Sequence, residues 1–129
     1  MKKYYLISLI LISSIGCNNP FSSDCAEQIP LNIREVIVPD TAGFFEPTTI
    51  KVEVTLADSG YRYVGRYIDY SEDGCTITVM GERETCDYVF CVVTYKWYSF
   101  KIRPHRRGEY IIRTKSRHVG AWVDTIFVK

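Results

Sequence analysis

The residues of this chain with chemistry to offer are five cysteines, two histidines, a short run of arginines and scattered carboxylates and aromatic rings. Cys25, Cys75, Cys86 and Cys91 allow three disulfide pairings. The favoured one closes a small loop with Cys86–Cys91 and ties the N-terminal segment to the body with Cys25–Cys75. Closing a loop of some fifty residues in this way stabilises by about 4 kcal/mol in the chain-entropy picture. The rival reading is zinc, since Cys86 and Cys91 with His105 and His118 supply two thiols and two imidazoles. Their four-residue gap is wrong for a C-x2-C knuckle, and both histidines fall in turns that belong at opposite ends of the domain. The expectation is therefore disulfides and no metal.

Arg103-Pro104-His105-Arg106-Arg107 could hold an anion, because guanidinium forks fit the carboxylate or phosphate of an acidic glycan or a lipid headgroup. The plainer alternative is a solvated corner balanced by Glu109 and other carboxylates. Glu82 and Glu84 lie two apart and share a face of an extended strand. Acid–base work needs a pocket around them, and no pocket is legible. Trp97, Tyr98 and Trp122 could stack on sugars, though cross-strand packing is the commoner use of such rings. No G-x-S-x-G elbow, H-E-x-x-H pair or Gly-rich phosphate loop occurs. No catalytic residue and no cofactor is nominated, and a non-enzymatic protein is expected.

The elements that must carry these residues read as strands. Ile50, Val52, Val54 and Leu56 alternate with Lys51, Glu53 and Thr55, the pattern of a strand with one wet face. Asp58-Ser59-Gly60 is a turn, Tyr61 to Tyr70 a second strand with Gly65 a candidate bulge, and Cys75 to Met80 a third. Tyr88 to Tyr95 and Tyr98 to Ile102 form one long strand or two. Gly108 to Lys115 and Ala121 to Val128 form a hairpin across residues 116–120. Ile33 to Val38, closed by Pro39, makes a first edge strand, where a missing ladder donor is tolerated. Seven or eight short strands and no helical run predict an all-β sandwich, antiparallel throughout.

Ahead of these strands, Met1-Lys2-Lys3 is a positive start, Tyr4 to Ile12 an apolar run too short to span a bilayer, and Ser13-Ser14 a small polar end. That is the layout of a secretory signal. Ser14-Ile15-Gly16-Cys17 resembles the lipobox of bacterial lipoproteins, although that family prefers Leu where Ser14 stands. The resemblance implies cleavage after residue 16 and acylation of Cys17, with two or three chains that anchor permanently where one would not. It leaves four cysteines for pairing. Asn18 in place of Asp, with no acidic run after it, implies an outer-membrane position facing the periplasm. Residues 17–31 read as the lipidated N-terminus and its tether, and residues 32–129 as one domain. Without Lys2 and Lys3, 14 basic residues face 15 acidic ones, a net of −1. A near-neutral surface gives no footing for nucleic acid.

The stretch from Phe100-Lys101-Ile102-Arg103-Pro104 to Gly108-Glu109-Tyr110-Ile111-Ile112 resembles the E–F corner of immunoglobulin-like domains. There Tyr110 would hydrogen-bond back to the corner backbone. The terminal Asp124-Thr125-Ile126-Phe127-Val128 is similar to the last strand of bacterial modules of that kind. Ile112 replaces the cysteine of antibody domains and no Trp occurs in Tyr61–Tyr70, so the resemblance is to the broad sandwich group, over about residues 30–129.

A lipid-anchored cell-envelope protein is thus expected, binding or stabilising another envelope protein. The alternative is a carbohydrate-binding module using the aromatics and the Arg103–Arg107 corner. Replacing Cys17 with Ala should abolish incorporation of radiolabelled palmitate and release the protein from membranes. Unchanged labelling would overturn the lipobox reading.

Overall fold

A computed structural model describes residues 25–118 and 120–129. The signal segment and Cys17 lie outside these. Among the described residues nine strands form two sheets: β1 Ala26–Pro30, β2 Asn32–Ile37, β3 Thr41–Ala42, β4 Thr48–Leu56, β5 Tyr61–Ser71, β6 Gly74–Glu84, β7 Thr94–Ile102, β8 Gly108–Ser116 and β9 Gly120–Val128. One sheet is β2-β4-β7. The other runs β6-β8-β9-β3, with β5 on the far side of β6 and β1 also paired to β6.

The alternation in β4 does what its pattern requires. Ile50, Val52 and Val54 are fully buried, and they join Cys75, Ile77 and Val79 of β6, Phe100 and Ile102 of β7, and Tyr110 and Ile112 of β8 in one apolar cluster. Period-two patterning on both inner faces gives a core about 10 Å thick without helices. The register shift in β5 falls between Tyr63 and Gly65, at the bulge expected from Gly65. Beyond it the exposed Arg66 places its guanidinium 5.2 Å from the Phe100 ring centre.

Three expectations are corrected. The sandwich is not antiparallel throughout, because β6 runs parallel to β8 and β3 parallel to β9. Side-chain alternation is the same for either direction, so the sequence pattern could not choose. Residues 26–30, read as tether, form β1, which lies antiparallel on Met80–Glu84 of β6. Only Ile29 and then Leu31 face the core from this stretch, too weak a signal for a strand. Tyr88–Val93, read as strand, is loop: β6 ends at Glu84, and Phe90 exchanges its backbone bonds with Ser59 in the β4–β5 turn.

The cysteine pairing is also different. Cys25 bonds Cys86, leaving Cys75 buried and Cys91 exposed as free thiols. Geometry decides this. Ala26 pairs with Glu84 at one end of β6, whereas Cys75 stands at the other end with its side chain in the core. Across a sequence separation of 61 residues the bond should stabilise by about 4 kcal/mol. Peptide mapping without reduction should recover Cys25 joined to Cys86, and Cys86→Ser should lower the unfolding midpoint. A Cys86–Cys91 peptide would overturn this pairing.

Candidate interaction surface

The Arg103–Arg107 corner lies where the β5–β6 turn, the β3–β4 turn and the β7–β8 loop meet. Gly108 opens β8 with φ +89°, a conformation that favours glycine, and two residues later Tyr110 points fully into the core. Its hydroxyl lies 3.0 Å from His105 Nδ1, and His105 Nε2 lies 2.7 Å from the Ser71 carbonyl. A carbonyl can only accept, so Nε2 carries the proton, and in the neutral ring Nδ1 accepts from Tyr110. The expected bond from Tyr110 to the corner backbone is replaced: the hydroxyl meets the His105 side chain, whose far nitrogen reaches the Ser71 carbonyl at the end of β5, and the ring stands edge-on to Tyr70 and Tyr110 alike.

The arginines of this corner are turned toward the protein. Arg103 Nη1 donates to the Phe45 carbonyl and Arg106 Nη1 to the Glu72 carbonyl, each at 3.2 Å, and Arg107 lies over the Phe44 ring. Phe45 has a φ of 57°, unusual for a side-chain-bearing residue, and is held there by its N–H to Pro104. Next to them Arg113 grips Asp73 through two bonds of 2.8 and 3.2 Å. That fork, helped by Ser71, holds the Asp73 carboxyl well below the usual carboxylate range. The corner is a set of satisfied turns whose cations already face carbonyls, a ring and a carboxylate.

The other candidates do not converge. His118 is exposed in the β8–β9 turn, Cys91 in the β6–β7 loop, and Cys86 is consumed by Cys25. The four groups of the zinc alternative therefore share no site. Cys25, Cys86 and Glu84 do lie together, but the disulfide leaves no thiolate to bind a metal. Glu82 is ion-paired to Arg62. Glu84 accepts from the N–H of Cys86 and of Asp87, and these bonds lower its pKa. The two carboxylates thus serve a cross-strand pair and a turn. Trp97 stands opposite Glu53 on the solvent face of β7, Tyr98 stacks on Tyr63 at 4.1 Å between the sheets, and Trp122 donates to the Ile33 carbonyl. Three rings on three surfaces make no common platform.

What the structure does bring together lies along β7 and the loop before it. The edge of β7 away from β4 is unpaired among the described residues. On its outer face Tyr95 and Trp97 are half exposed, and Arg34, ion-paired to Glu53, lies 4.2 Å from the Tyr95 ring centre. Immediately upstream, Tyr88, Val89, Phe90, Val92 and Val93 are exposed, Tyr88 completely. Sequence reasoning saw these residues as strand; the available clue was an apolar run without alternation. Comparison with protein-family models, curated proteins and solved structures gives no match.

The two free thiols offer a check. Burial pushes Cys75 up to about 11 from 9.0, against a smaller pull from Tyr110. In the native chain a thiol reagent at pH 8 should modify Cys91 at once and Cys75 only on unfolding. Because the folded pKa is raised, the associated stability is whole below pH 9 and falls away between 9 and 11. Cys75→Ala should flatten that decline in alkaline denaturation, and an unchanged slope would overturn the assignment.

Proposed function

We propose that this is a lipid-anchored protein of the bacterial cell envelope, placed at the outer membrane facing the periplasm, whose immunoglobulin-like sandwich binds another envelope protein without catalysis. The observation that carries the reading is the open edge of β7 flanked by exposed Tyr95 and Trp97. An extended segment of a partner could add there as a further strand, its backbone taking the free ladder groups and its side chains meeting the two rings. Tyr and Trp are the side chains most often central to such contacts. Lys96 and Lys101 along the same strand make pairing with a second copy costly. The immunoglobulin-like assignment is supported by the two-layer architecture and the Gly108–Tyr110 corner; the parallel β6–β8 pair departs from it. The glycan alternative has weaker support, since its rings are dispersed and its arginines engaged.

A photo-crosslinking residue at position 97, introduced in the native cells, should yield one adduct of defined mass, absent when the probe sits at Val123 on the opposite sheet. Truncating Tyr95 or Trp97 to Ala should cost about 2 kcal/mol of binding, roughly thirty-fold in affinity. No adduct from position 97, or the same adduct from both positions, would overturn the reading.

A further inference from the structure

We propose that the β6–β7 loop is a membrane-docking element: Tyr88, Phe90, Val92 and Val93 enter the interfacial layer of the bilayer that holds the acyl chains of Cys17. The sandwich would then stand with its disulfide end on the membrane. The inference rests on the acylation of Cys17.

Tether length is the first argument. Seven residues lie between Cys17 and Cys25, and the eight steps from one to the other span at most about 29 Å fully extended. Cys25 is bonded to Cys86, with Cα atoms 5.0 Å apart, and the loop leaves β6 at the same point. The chain thus enters the domain two residues from Tyr88. Strands β5 and β6 are 11 residues each, about 36 Å long, and the Arg103–Arg107 corner lies at their far end. A tether of this reach holds the loop end, not the corner, at the bilayer.

The chemistry of the loop fits that position. From Tyr88 to Tyr95 there is no charged residue. Tyr88 is 104% exposed and Phe90 76%, and at about 200 Å² per ring they alone offer roughly 350 Å². With the three valines the patch reaches the upper end of what a monomer leaves uncovered, roughly 300–600 Å². Such rings favour the membrane–water interface. The loop is also pre-positioned: Ser59 donates its N–H to the Phe90 carbonyl and accepts the Phe90 N–H on its hydroxyl, while Val89 sits over Gly60. At the same end Arg83 and Arg117 flank Tyr61, at a height suited to anionic headgroups.

Cys91 provides the test, since Cys75 is buried and Cys25 and Cys86 are joined. The full chain, purified from membranes and weighed to establish acylation, is labelled at Cys91 with a nitroxide and placed in phosphatidylethanolamine–phosphatidylglycerol vesicles. Access of a water-soluble nickel chelate should fall several-fold relative to detergent-free solution, and access of oxygen should rise. A label at Arg106→Cys in a Cys91→Ser chain should stay aqueous. Tyr88→Ser with Phe90→Ser should return the Cys91 label to water while the chain stays on the vesicles. Equal chelate access at positions 91 and 106 would overturn the proposal. So would dipolar broadening that vanishes on dilution with unlabelled chain, which would make a second copy the occupant. If the mass shows no acyl groups, the acylation reading fails by itself. The label is then read on that chain with Cys17→Ser at high lipid, where immersion supports docking and an aqueous signal overturns it.

Discussion

Strand β6 has one inner edge and two strands to seat on it. β8 lies parallel along Gly74–Thr78 and β1 antiparallel along Met80–Glu84, end to end. Where they meet, the Leu31 N–H donates to the Val79 carbonyl and the chain crosses from one sheet to the other, so that β2 begins at Asn32 beside β4. Two glycines make the arrangement sterically possible. A Cβ on Gly74 would stand 1.7 Å from the Ile111 carbonyl oxygen, and one on Gly81 2.4 Å from the Leu31 side chain. The first contact is with backbone, which cannot be turned aside. The parallel pairing, the crossing at Leu31 and the burial of Ile29, Leu31 and Ile33 all hang on this shared edge.

That edge is also where sequence reading stopped. The strand β4 was legible because it alternates cleanly, β5, β8 and β9 because each is rich in β-branched and aromatic residues and bounded by turn residues, and the Gly65 bulge was legible from the glycine. The direction of β8 against β6 was not, since alternation carries no direction. Strand β1 hides in Ala26-Glu27-Gln28-Ile29-Pro30, where one apolar residue faces the core, and it finds its partner only because β6 runs on past Met80 to Glu84. The cysteine pairing followed from that same unseen strand. Tyr88–Val93 failed for the opposite reason: its composition suits a strand, but composition cannot say whether an edge is within reach.

At the corner the legible part was Tyr110, and the illegible part was its partner. A Gly–x–Tyr spacing announces an inward ring after a tight turn, yet the acceptor is a side chain brought from the preceding loop. His105 and Tyr110 form a line from the Ser71 carbonyl to the core. With the Arg113–Asp73 fork beside it, this line ties the β5–β6 turn to the start of β8. The arginines of the candidate anion site also tie two neighbouring turns to the corner, Arg103 through the Phe45 carbonyl and Arg106 through the Glu72 carbonyl.

The Cys25–Cys86 bond has a mechanical meaning as well. A pull on the chain upstream of Cys25 would, without the bond, act first on the Ala26–Glu84 pair and peel β1 from β6 one rung at a time, the weak direction for an antiparallel ladder. With the bond in place the load passes through the two sulfurs into Cys86 and bypasses β1 altogether. The force then enters the sandwich at the end of its central strand, which is paired on both edges and must be sheared rather than unzipped.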